Sequence, residues 1–188
     1  MILENEDAGS GKARITARGR LLDVNGMRTI LQSSLLVLVA LALVPAVGQA
    51  AGKASYSRSS ENRVFVLLNH IRSEHGLSQF TASTALRGSA REHSADMIVH
   101  DYFEHNSARE TFDKRIRRFL ASPLVGEDIA WGTGSYGTPE GLVSLWMHSP
   151  THRHIILMPS LHRIGLGVAT GSFQGADDAV MATADFSS

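Results

Sequence analysis

The 188-residue chain carries nine histidines, and all of them lie after residue 69. Histidine titrates nearest neutrality, and its neutral ring is a common metal ligand. His148, His152 and His154 fall close together. His148 and His152 are four apart, the spacing by which an HExxH helix turns two imidazoles toward one zinc ion. Here the stretch reads HSPTH. Pro150 puts the two histidines on separate helices and no glutamate follows the first, so that zinc site is not expected.

A dispersed set is more informative: His105 in FEH, Glu127 in GEDIAW and His152 in SPTHR. Each follows or opens a secondary element, where side chains can converge in a cleft. Two imidazoles and a carboxylate suit the first shell of zinc or another divalent cation. They suit a general acid–base set equally well. A third reading is a polar network that pins a sheet to its helices. Spacing alone leaves the three open. Ser149 lies near His152, but HSPT is not a nucleophile elbow. Cysteine is absent, which excludes disulfides, thiolate zinc sites, a cysteine nucleophile and a lipidated N-terminal cysteine.

The elements that must position these residues can be read from periodicity and punctuation. Val64, Leu67, Leu68 and Ile71 predict an amphipathic helix over 61–75, stopped by Gly76. Leu86, Ala90, His93 and Met97 share one face of a second helix over 83–100. His93, on that apolar face, reads as a core histidine bonded to backbone, or else as a partner reaching the cleft from behind. Residues 101–108 form the loop that carries His105. A short helix over 110–120 contains Lys114, Arg115, Arg117 and Arg118, a charge run expected on a solvated face. Residues 125–131 read as a buried extended segment, and Gly132, Gly134 and Gly137 as a loop. Thr138-Pro139 and Ser149-Pro150 open helices over 139–148 and 150–157. Strands over 163–169 and 179–186 are expected to be joined through 170–178 as a hairpin. Trp131 and Trp146 read as core, and Asn69 and Arg72 as residues that bond across to neighbouring loops. Strands late in the order, without βαβ alternation, indicate an α+β fold.

The composition agrees with one exported domain. The chain is 43% hydrophobic, with 18 basic and 18 acidic residues and no net charge. That excludes a disordered chain and argues against a nucleic-acid partner, which would need a basic face. Leu35 to Val47 form an uncharged apolar run, too short for a membrane span of ~20 residues. With Gly48 and Ala50 as small residues before a cleavage point, 27–50 reads as a signal peptide. Residues 1–26 then read as a start-site artefact upstream of Met27, or as a long n-region. Residues 51–62 read as a flexible lead-in and 63–188 as the domain.

The motifs taken in order resemble the CAP superfamily, also called SCP-like: cysteine-rich secretory proteins, antigen 5 and plant pathogenesis-related 1. They are LLNHIRSEHGL, AREHSADM, YFEH, GEDIAWG, LWMHSPTHRHIIL and IGLGVA. The likeness is to the cysteine-free bacterial branch and covers about 64–186. It implies a three-layer α-β-α sandwich with a central antiparallel sheet and a surface cleft. It maps the two cleft histidines to His105 and His152 and the cleft glutamate to Glu127, with His105 and His152 as the metal-holding pair. Many members carry a second glutamate where this chain has Ser149, and asparagines where it has Asp128 and Ile155. The expected function is an exported, monomeric binding module, secreted or periplasmic, without a stable membrane anchor once the signal is removed. Its cleft would take a lipid, glycan or protein of the envelope or surroundings, with a divalent cation as a candidate cofactor. The competing expectation is a zinc-dependent hydrolase or peptidase, with Glu127 orienting or deprotonating a bound water.

Overall fold

The structure is a computed structural model, described over residues 53–188. The signal-peptide and start-site expectations fall outside these residues. The element order is β1 (Ser55–Tyr56), α1 (Arg58–Glu74), β2 (Thr81–Ala82), α2 (Thr84–His100), α3 (Phe112–Phe119), β3 (Val125–Gly132), a 3-10 turn (Gly134–Gly137), α4 (Pro139–His148), α5 (Pro150–Ile156), β4 (Arg163–Phe173) and β5 (Ala176–Ser187). The central sheet runs β1-β4-β5-β3, with every neighbour antiparallel. The two-residue β2 adds a parallel pair on β4.

Strand alternation sends successive side chains to opposite faces. One face carries Ala130, Ile164, Leu166, Val168, Ala182, Ala184 and Phe186, and packs on α1, α4 and α5 around the fully buried Trp146. The other carries Ile129, Ala169 and Met181 against Met97 and Ile98 of α2. Leu86, Phe112, Ile116 and Val125 continue that layer beneath α3. Helices therefore cover both sides of an antiparallel sheet, the expected α-β-α sandwich of the α+β class.

The IGLGVA motif sets how closely α2 lies on the sheet. A Cβ on Gly165 would sit 2.1 Å from Arg87 N, and one on Gly167 would sit 2.4 Å from the Ala90 carbonyl carbon. Nothing larger than glycine fits beneath the helix at these points. Ser94 Oγ then donates across the interface to Gly167 O at 2.9 Å.

Three expectations need correction. The lead-in 51–62 is ordered from Ser55: Ser55–Tyr56 pairs with Ala169 and Thr170, and Ser57 caps α1 by accepting from Ser60 N at 3.3 Å. A free β4 edge and a serine hydroxyl at the cap position supply the order that composition hid. The connection 170–178 shrinks to Gln174 and Gly175, with φ of 48° and 84°. That is a two-residue hairpin turn, and both strands run through the rest of 170–178, with Phe173 and Ala179 still buried in the core. The charge run of α3 is split rather than solvated: Lys114 and Arg118 are exposed, but Arg115 is buried.

The buried stripe of α1 also differs from the apolar reading. Glu61, Val64, Leu68, Asn69 and Arg72 are buried, while Leu67 and Ile71 are only partly so. Glu61 takes a bidentate pair from Arg91 at 2.7 and 2.8 Å. Arg72 donates to Ser78 O, Ile156 O, Met158 O and Leu161 O and lies over the Phe80 ring. Asn69 exchanges two hydrogen bonds with the Phe80 backbone. Asn69 and Arg72 thus bridge to loops as the sequence suggests.

Candidate functional site

His105 leaves α2 by way of a tight turn. Asp101 ends the helix in the left-handed region, with φ of 53°, and the chain then runs back over the sheet. Two buried side chains fasten the loop from below. His93 Nε2 donates to Glu104 O at 2.9 Å, and Arg115 Nη1 donates to His105 O at 3.2 Å. Asn106 Oδ1 accepts from Phe112 N at 2.9 Å and ties the loop to the start of α3. The same loop lines a cavity of about 420 Å³ through Tyr102, Glu104, Asn106 and Arg109, with Asp96 and His100 from α2.

Glu127 lies in the middle of this arrangement. It sits on β3, 1% exposed, and points toward α2 and α3. Its Oε1 accepts from His105 Nδ1 at 2.8 Å, and its Oε2 accepts from Arg115 Nη2. His93 Nε2 stands 3.9 Å from the same oxygen. Burial opposes ionisation of Glu127, but the positive groups around it, His93, Arg115 and the His105 hydrogen bond, outweigh burial and hold its pKa down at about 2. Burial depresses the pKa of His93, against the opposing pull of the Glu127 charge. The permanent charge facing Glu127 is Arg115.

Asp185 is the register partner of Glu127 across the β3–β5 ladder and shares its face of the sheet. It is fully buried, with Oδ1 at 3.8 Å from Arg115 Nη2. Burial, and then the Glu127 charge, push its pKa well above the usual carboxyl range. One guanidinium faces two carboxyls: Glu127 is held ionised beside it, and Asp185 is pushed toward its neutral form.

His152 projects from α5, whose first turn is fixed by Pro150. Its Nδ1 is buried without a hydrogen-bond partner. Burial, and then the nearby His105 charge, lower its pKa to about 4, so the ring is neutral at physiological pH with an available lone pair. The structure thus joins His105 directly to Glu127 and brings His152 within electrostatic range of His105. His148 closes α4 with Nδ1 donating to Ser144 O at 2.8 Å, on a helix separate from that of His152.

The donor chemistry can be tested against a divalent cation. Glu127 has both oxygens engaged and no exposed face, so it is not a free ligand. His105 uses Nδ1 on Glu127, which turns its Nε2 away from the carboxylate, in the arrangement that orients metal-binding imidazoles. His152 adds a neutral ring with an orphaned nitrogen. Two imidazoles fit a first-row cation that completes its shell from solvent or ligand. Among the described residues no group of three or more histidine, aspartate or glutamate side chains is placed to hold a metal ion.

Arg115 and Asp185 were not singled out from the sequence. Arg115 could have been, because Phe112, Ile116 and Phe119 mark the inner stripe of α3 and Arg115 falls within it. Asp185 left a weaker trace, a lone carboxylate in the apolar run AVMATADF.

Comparison with known proteins places the chain. Residues 65–186 match the CAP, or cysteine-rich secretory protein, family. The Bacillus subtilis protein YkwD is 37% identical over 115 residues, covering 60% of this chain and 44% of that protein. A solved extracellular protein containing an SCP domain, from Bacillus anthracis, superposes with a TM-score of 0.56 at 28% identity, covering 68% of this chain and 40% of that one. This chain thus spans less than half the length of either relative. An outer surface protein from Borrelia burgdorferi superposes with a TM-score of 0.61 over 71% of this chain and 97% of its own, at 17% identity, which shows a shared fold.

Proposed function

This chain belongs to the cysteine-rich secretory protein family, and from that premise we propose that it is an exported binding module. Its ligand-facing groups are His105 and His152, and Glu127 holds the first of them in place. The observation that carries this reading is the saturation of Glu127. A general base needs a free lone pair within reach of the proton it takes and a pKa near working pH. Glu127 is fully buried, bonded at both oxygens and held at about 2. It suits a support for His105 better than it suits a base in hydrolysis.

The imidazoles of His105 and His152 are the groups that would hold a divalent cation. A bound cation would supply a Lewis acid that draws an oxygen of the ligand toward the cleft. The ligand would be a lipid, glycan or protein of the envelope or surroundings, met outside the cytoplasm. Export is supported by the extracellular and outer-surface descriptions of the Bacillus anthracis and Borrelia burgdorferi proteins. No helix among the described residues is long and apolar enough to cross a membrane.

The test is calorimetric titration of zinc into the wild type and into H105A/H152A. Saturable binding that the double variant loses is the expected result. No binding by the wild type removes the cation from the proposal. A peptide-hydrolysis assay addresses the rival: cleavage that disappears in E127Q would replace the binding reading with the hydrolase.

A further inference from the structure

Arg115 meets His105 twice, by two independent routes. Its Nη1 donates to the main-chain carbonyl of His105. Its Nη2 binds Glu127 Oε2, and the other oxygen of that carboxylate accepts from the His105 ring. The result is a closed circuit of guanidinium, carboxylate, imidazole and backbone carbonyl. We infer that Arg115 is the positioning residue of the cleft, fixing both the place of the His105 ring and the nitrogen it presents.

Donor and acceptor capacity fixes which nitrogen His105 presents. A guanidinium has only donors, and an ionised carboxylate only acceptors. With Arg115 on Oε2, Glu127 offers Oε1 to the ring as an acceptor, so the proton of a neutral His105 must sit on Nδ1. Nε2 then carries the lone pair and faces away from Glu127. The planar fork reaches carboxylate and carbonyl at once, which a point-charge ammonium cannot reproduce. The contact with His105 O also holds the backbone from which the ring hangs, and His93 holds the preceding carbonyl.

A second buried arginine supplies the contrast. Arg72 is 1% exposed and Arg115 is 2% exposed. Arg72 donates to the carbonyls of Ser78, Ile156, Met158 and Leu161 and stacks on Phe80. It touches no residue of the cleft. Loss of either arginine should lower stability, but only loss of Arg115 should alter His105.

This inference rests on His105 being the group presented at the cleft, and its first readout needs no ligand. Nitrogen-15 spectra of the histidine rings in the full chain, with His105 identified by its loss in H105A, report which ring nitrogen bears the proton. The wild type is expected to show Nδ1–H for His105 above pH 7. R115M is expected to lose that single tautomer and to bind zinc 10- to 100-fold more weakly, the usual cost of removing a partner that orients a ligand. R72M is expected to melt earlier with the His105 signals unchanged. A wild-type ring protonated on Nε2 overturns the inference, as does a folded R115M with wild-type His105 signals. Should R115M fail to fold, R115K decides: it keeps the charge but not the fork, so its His105 signals must move, and unmoved signals overturn the assignment. Failure of the wild type to bind zinc strikes at the proposed cation and leaves the tautomer result standing.

Discussion

Glu127 and Asp128 are adjacent on β3, and both side chains are fully buried, yet the two faces of the sheet treat them oppositely. Glu127 points to the α2–α3 face and meets Arg115, His105 and His93. It is held ionised. Asp128, opposite Ala184, points to the apolar face built on Trp146 and Ala130. Both of its oxygens lack a hydrogen-bond partner, and burial, with the Glu127 charge behind it, pushes its pKa well above the usual range. Burial alone does not decide protonation. The partners supplied by the facing helix decide it. On the α2–α3 side the carboxylate is paired at both oxygens, and on the Trp146 side it is not.

Breaking the polar side should cost most. Glu127→Ala leaves a buried guanidinium without its carboxylate, and Arg115→Ala leaves the reverse. Each is expected to lower unfolding free energy by about 3–5 kcal/mol in metal-free buffer, read by urea denaturation. A loss below about 1 kcal/mol would mean that the pair is solvated in solution and that the contrast between the faces is overstated. Gly167→Ala tests how closely α2 must lie to keep His93 on the loop. Its Cβ would meet the Ala90 backbone, so a loss of about 1–3 kcal/mol is expected from overpacking, together with a shift in the His93 ring resonance.

The pH dependence separates the groups further. His152 has a folded pKa of about 4 against an ordinary 6.5, so the unfolded chain takes up its proton first. Stability is expected to fall as pH drops from 6.5 to 4. Glu127, at about 2 against 4.5, contributes stability that is present above pH 4.5 and lost as pH falls toward 2. Melting temperatures taken across this range should show a decline whose upper part shrinks in His152→Gln, the remainder coming from His93, whose pKa is also depressed. Asp128 has the opposite sign, because a raised carboxyl pKa costs stability as pH rises. Asp128→Asn is therefore expected to stabilise, by on the order of 1 kcal/mol near neutrality, with the gain growing at higher pH. A loss in that variant would show that Asp128 is paired, as Glu127 is. The smallest effect is expected at the exposed Arg63–Glu140 pair, 2.7 Å apart, where removing either charge should leave the melting temperature essentially unchanged.

Much of the scaffold was legible in the sequence. Every helix lies within a few residues of its periodicity and caps, and Thr138 caps α4 by accepting from Gly141 N at 3.1 Å, with Pro139 in the first turn. The resemblance carried by six motifs gave the layer order, and His93 bonds backbone as an apolar-face histidine should. Local signals suffice where the structure is decided by nearest neighbours along the chain. They fail where a residue's role depends on what another element brings to it. The run KRIRR looks like solvated charge because its neighbours in sequence are charged, but α3 is turned by Phe112 and Ile116 so that Arg115, alone among those basic residues, enters the core.

The sequence by itself determined which elements form, and which two histidines and one glutamate were worth following. Only the tertiary structure decided that Glu127 is spoken for at both oxygens, that Arg115 supplies the charge facing it, and that Asp185 faces Glu127 across the ladder. The reason is that protonation and hydrogen-bond capacity are shared quantities. A carboxylate has a fixed number of lone pairs, and which donors fill them depends on strands and helices that lie far apart in the chain.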